Sequence, residues 1–130
     1  MDSTEVEFAL NKIVKNSARR DWNVLPCDYS HAMTKNSKYP KLFIFNTDPS
    51  FLPGKHFIGV YVMNKQNWEI FDPLAVPIEQ WGACFHDIKL KNPLQNTHRV
   101  QSSRSKECGK FCLFYAWHKC RGKSMNEILS

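Results

Sequence analysis

Arg104-Ser-Lys-Glu-Cys-Gly-Lys-Phe-Cys-Leu-Phe-Tyr-Ala-Trp-His-Lys-Cys120 is the stretch that decides how the rest of this chain is arranged. Past Gly109 the run from Phe111 to Trp117 is apolar on nearly every face and too long for one strand, which predicts a wholly buried helix. Cys108 then falls in its first turn, where outward-facing backbone N–H groups and the positive end of the helix dipole favour a thiolate. Taken alone, a free cysteine is more often a small buried hydrophobe than a nucleophile, so a catalytic reading needs a partner from elsewhere in the chain.

At 130 residues the chain supports one domain, 1–130, with room for a real core. A content of 42% hydrophobic and 13% aromatic residues excludes a disordered chain. The start, Met1 to Glu7, lacks the basic and apolar regions of a secretory signal, and no apolar run approaches membrane-spanning length, so an intracellular protein is expected. The five cysteines, Cys27, Cys84, Cys108, Cys112 and Cys120, are odd in number and unevenly spaced, which suits free thiols better than a disulfide framework. The net charge of +6 is concentrated from Lys89 onward, where nine Lys and Arg face only Glu107 and Glu127. That basic excess permits contact with phosphate backbones, although scattered Lys and Arg also make an ordinary solvated surface.

Moving toward the N-terminus, Thr4 and Glu7 form a capping-box pattern ahead of Val6, Leu10 and Ile13, which predicts a short amphipathic helix ending at Asn16-Ser17. Asp21 to Tyr39 shows no periodicity and reads as a surface loop in which Trp22, Val24 and Leu25 touch the core. Cys27 and His31 have a metal-ligand spacing but no second pair nearby. Lys41 to Asn46 is a short apolar strand bounded by turn residues. Gly54 to Met63 and Trp68 to Asp72, joined by Asn64-Lys-Gln-Asn67, read as an antiparallel hairpin. Pairing of that kind brings His56, at the start of its first strand, beside Asp72, at the end of its second. Pro73 holds Asp72 extended and halts the strand there. Pro77 to Phe85 reads as a short helix, and Thr97 to Gln101 as a short strand delivering Gln101 seven residues before Cys108. Trp68 and Trp81 are assigned to the core.

The chain therefore offers an imidazole with an orienting carboxylate, a thiol at a buried helix N-terminus, and an amide just ahead of the thiol. Those are the parts of a cysteine nucleophile site. His56 would hold Cys108 as thiolate and later protonate the leaving amine, Asp72 would fix the imidazole, and Gln101 with the Cys108 backbone N–H would bind the oxyanion.

The order His, Asp, Gln, Cys resembles the adenovirus-type cysteine protease (adenain), whose superfamily includes the ubiquitin-like-protein proteases. The matching pieces are Gly54-Lys-His-Phe57, Phe71-Asp-Pro-Leu74, Val100-Gln-Ser102 and Glu107-Cys-Gly-Lys-Phe-Cys112. Asn46-Thr-Asp-Pro-Ser50 and Arg121-Gly-Lys-Ser-Met125 look more like the relatives in Maverick/Polinton-type elements and related viruses. The resemblance implies an α+β fold, with a small antiparallel sheet packed on a buried central helix that carries the nucleophile. It implies cleavage of viral or mobile-element capsid and core precursors at small, glycine-containing sites, in a host nucleus or virion, by a monomer. Phe57 stands where the family usually shows Trp and, with Trp22, would wall the substrate cleft. The basic excess here permits activation by DNA, whereas the disulfide-tethered peptide that activates the adenovirus enzyme would find no cysteine in the matching stretch before Gln101. The residues imply no metal, since Cys108, Cys112, His118 and Cys120 lie on one helix that cannot wrap an ion tetrahedrally. Two other readings stay open at this level: a ubiquitin-like-protein deconjugating protease, and a catalytically decayed, basic nucleic-acid-binding module.

Overall fold

A computed structural model describes residues 2–15, 21–26, 39–47, 56–77, 93–100 and 107–129. Helix α1 (Ser3–Val14) leads into strand β1 (Asp21–Pro26). Strands β2 (Lys41–Asn46), β3 (Phe57–Asn64), β4 (Asn67–Phe71) and β5 (Pro93–Gln95) follow. Helices α2 (Cys108–Lys119) and α3 (Met125–Leu129) complete the described part. No helix among the described residues is long and apolar enough to cross a membrane.

The five strands form one sheet in sequence order. The hairpin of β3 and β4 is as expected, with the Asn64 carboxamide accepting the Gln66 and Asn67 N–H groups to close its turn, and β2 lies antiparallel on the other side of β3. The edges are not. β1 runs parallel to β2, and β5 runs parallel to β4, so the sheet is mixed rather than antiparallel. The surface loop expected over Asp21 to Tyr39 thus begins as a strand. Its pairing with β2 is non-local and leaves no periodic pattern in a segment punctuated by Asp21, Asn23 and Pro26, which edge strands tolerate. The short strand expected at Thr97 to Gln101 lies instead at Pro93–Gln95, and 97–100 are not strand. Proline at its first position is compatible with an edge, where the missing N–H removes no ladder bond. All but Pro77 of the helix expected at Pro77 to Phe85 lies outside the described residues, as does Trp81, while Trp68 is buried.

Antiparallel register explains the core. Ile44, Gly59 and Phe71 align across β2, β3 and β4, and Leu42, Tyr61 and Glu69 form the neighbouring row. Alternation puts these on one sheet face. The apolar members cluster with Val6, Leu10 and Val14 of α1 and with Cys112, Tyr115 and Ala116 of α2. Glu69, on the same face, would be a costly buried carboxylate, and α2 resolves it: the Tyr115 hydroxyl donates to it at 2.5 Å and Lys119 Nζ lies 3.1 Å away. Lys119 also sits over the Tyr61 ring at 4.4 Å. The helix carrying Cys108 is thereby tied to the sheet at its far end by polar contacts as well as by packing.

Two expectations about the helices are corrected. The cap of α1 is Asp2, not Thr4: Asp2 accepts the Glu5 N–H at 2.9 Å and Glu5 accepts the Asp2 N–H at 3.2 Å. A carboxylate at the helix start gains from the dipole as well as from the hydrogen bond. Asp2→Ala should therefore cost about 1 kcal/mol of stability in urea titration. The second correction concerns α2, which is not buried all round. Phe114 and Trp117 are 50% and 42% exposed, while Cys108, Cys112, Tyr115, Ala116 and Lys119 face inward. Its end is set by Gly122 at φ 79°, whose positive φ lets the Lys123 N–H turn back to the His118 carbonyl.

Candidate active site

β3 begins one residue after His56, and β4 ends one residue before Asp72, because Pro73 cannot extend the strand. The hairpin thus brings the two side chains together, with His56 Nε2 2.8 Å from Asp72 Oδ1. Thr47, at the end of β2, donates its backbone N–H to the His56 carbonyl at 3.0 Å and holds the histidine backbone in line with the sheet. The Asp72 carboxylate is buried, and its Oδ1 also accepts the Leu74 N–H at 2.9 Å.

Cys108 is the first residue of α2, and packing of α1 and α2 on the sheet carries its sulfur to the same place. The His56 ring hydrogen-bonds the Cys108 side chain. With Nε2 on Asp72, the other ring nitrogen is the one available to the sulfur. His56 thus lies between the carboxylate and the thiol.

The electrostatics follow from that bridge. Burial lowers the imidazole pKa, yet the hydrogen bonds to Asp72 and Cys108, together with the charges of both, outweigh it and raise His56 from 6.5 to about 9. Burial alone would raise the Cys108 thiol. The hydrogen bond and charge of His56, with the backbone N–H groups of Phe57 and Gly109, outweigh it and lower the thiol below its ordinary 9.0. Each member of the pair stabilises the charged form of the other. Cys112, one turn further along α2, shows the opposite case: burial and the nearby charges of Cys108 and Asp72 push it well above the ordinary value.

The remaining expected site residues fare differently. Phe57 is 1% exposed and lies in the core, so it does not wall a cleft. As the first residue of β3 it alternates onto the helix-facing side, and its contribution to the site is the backbone N–H on the Cys108 sulfur. Gln101 lies outside the described residues, as does the Trp22 side chain, although Trp22's backbone is part of β1. Asn96, which the sequence reading passed over, proves to be a neighbour of the site. It is 4% exposed, its Oδ1 accepts the Asp72 N–H at 2.8 Å, and its Nδ2 donates to the Asp72 carbonyl at 2.7 Å. One signal pointed toward such a residue. A buried strand end before a proline leaves an N–H and a C=O to satisfy, and a carboxamide supplies both partners.

With this geometry in hand, the chain can be set beside known proteins. A solved bacterial domain shares the fold. It is the central domain of the uncharacterized Lpg1148 protein from Legionella pneumophila, with a TM-score of 0.54 at 17% identity over 93% of this chain and 80% of that one. At that identity the likeness concerns the α+β fold alone. No protein-family model matches the chain, and no curated protein matches it.

Proposed function

We propose that this chain is a cysteine endopeptidase of the adenain type. One observation carries the reading: a single imidazole bridges a buried carboxylate and a thiol at the N-terminus of a core helix. In the proposed reaction the Cys108 thiolate attacks the scissile carbonyl carbon, and the new carbon–sulfur bond pushes the carbonyl electrons onto oxygen. The Cys108 backbone N–H and the Gln101 side chain would stabilise that oxyanion. Collapse expels the amine, which takes its proton from His56, and leaves a thioester. Water then attacks the thioester with His56 as base, releasing the acid and restoring the pair. The sequence resemblance extends the proposal to capsid and core precursors cut at small, glycine-containing sites, with DNA as a candidate activator.

The test is cleavage of glycine-containing peptides and glycine-terminated fusion proteins, with and without duplex DNA, across a pH series. Because the imidazolium must donate to the leaving amine, and His56 is raised to about 9, activity should persist to about that pH and then fall. On the acid side it should fall as the thiolate is protonated, below the ordinary thiol range. Alkylation of Cys108 should abolish the cleavage. Absence of turnover on every such substrate, with Cys108 no more reactive than the other thiols, would sink the proposal and favour a binding module.

A further inference from the structure

We propose that Asn96 is a positioning residue for the cysteine–histidine pair, acting on His56 through Asp72. The inference rests on the reading of the site given above and adds a residue to it.

Asp72 occupies an awkward place. The β3–β4 ladder has its last pair at Gly59 and Phe71, so Asp72 lies just past it. Pro73 offers no N–H to continue the strand. Across β4, the parallel ladder with β5 ends at Ile70 and Gln95, where Asn96 donates its own N–H to the Ile70 carbonyl at 3.4 Å. Beyond that point the Asn96 side chain takes over from the backbone, engaging both the N–H and the C=O of Asp72. It occupies the position that one further step of strand would have filled.

The carboxamide is itself held. Its Nδ2 also donates to the His98 carbonyl at 3.1 Å, and the Val100 N–H reaches the Pro73 carbonyl at 2.9 Å, so 96–100 continues beside the segment that carries the acid. From the other side, Leu74 N–H fixes Oδ1 and Ala75 N–H donates to the Asp72 carbonyl at 2.8 Å. Asp72 Oδ1 meets His56 at 2.8 Å, a contact that a displacement of about 1 Å would break. Both peptide groups that set the position of this side chain are anchored by one residue, twenty-four positions away. Alanine could satisfy neither group, and serine, with one short hydroxyl, could not span both.

Asp72 and Cys108 are the titratable groups whose hydrogen bonds and charges raise His56. Loosening Asp72 therefore weakens the imidazolium, and the thiolate that depends on it, without touching either reacting group. The experiment measures the pH dependence of Cys108 alkylation, with melting temperature, in the full chain carrying Asn96→Ala or Asn96→Ser. Tyr115→Phe is the control, because it removes a different buried hydrogen bond, to Glu69, outside the pair. The acid limb of alkylation should move up by about one pH unit in the Asn96 variants, a tenfold lower rate at fixed acidic pH. The control should lose stability and keep its limb in place. Asn96→Ser, which retains one hydrogen bond, serves where the alanine variant does not fold. An unmoved limb in either folded Asn96 variant overturns the inference and leaves the proposed function standing. A wild-type Cys108 with no preference over Cys112 and Cys120 takes down both.

Discussion

Replacing His56 with alanine should cut the alkylation rate of Cys108 at pH 6 by about 10- to 100-fold, toward that of an ordinary thiol. At that pH a thiol of ordinary pKa is about 0.1% thiolate, so a thiol held ionised by an imidazolium has up to about 10³-fold more of the reactive form. Its lower intrinsic nucleophilicity returns part of that gain, since reactivity falls with pKa at a slope near 0.4–0.5. Cys112, one turn further along the same helix and raised by its complete burial, sets the floor against which Cys108 is read. Any peptide cleavage should fall further, by about 10²- to 10⁴-fold, since the variant loses the proton donor as well as the thiolate's partner. Mass-spectrometric labelling at pH 6 with limiting iodoacetamide reads the first effect. Equal rates for Cys108 in the wild-type and variant proteins would show that the histidine does not activate the sulfur.

Gly59→Ala should destabilise the fold by about 1–3 kcal/mol and displace Cys108 from His56 in the same step. A methyl group at Gly59 would stand 2.7 and 2.9 Å from two ring carbons of Tyr115. The ring has little room to retreat: it is fully buried, stacks on Phe71 at a centroid distance of 4.7 Å, and is held at its hydroxyl by Glu69. Relief requires α2 to lift from the sheet, and α2 begins at Cys108. The expected result is a melting temperature lower by roughly 3–10 °C. Cys108 alkylation, measured well below that temperature, should also slow. A variant with unchanged melting would mean that the helix adjusts without strain, and the proposed link between this contact and the site would be lost.

How much of this could be read along the chain depends on the range of the interaction. Val6, Leu10, the apolar run of β2, and the two β-rich segments around Asn64-Lys-Gln-Asn67 each carry a local pattern, and each formed the element it suggested. The meeting of His56 and Asp72 was legible for the same reason: a tight antiparallel hairpin fixes which residues lie across from one another. Placing Cys108 in the first turn of α2 needed only the apolar run that follows it. Asn96 was hidden because several asparagines were candidates and only the fold selects one. Phe57 was misread because exposure follows from which face of β3 meets α2, and a one-residue change of register would reverse it.

The amino-acid sequence by itself determined the hairpin, the amphipathic first helix, the place of Cys108 at the start of α2, and the chemical types brought to the site, since these rest on contacts between near neighbours and on the periodicity of side chains. Only the tertiary structure decided the two parallel edge strands, the open face of α2 at Phe114 and Trp117, the burial of Phe57, and the hold of Asn96 on Asp72. Those depend on pairing across long chain separations, where a hydrogen bond or a packed ring is set by the fold and leaves no periodic trace along the chain.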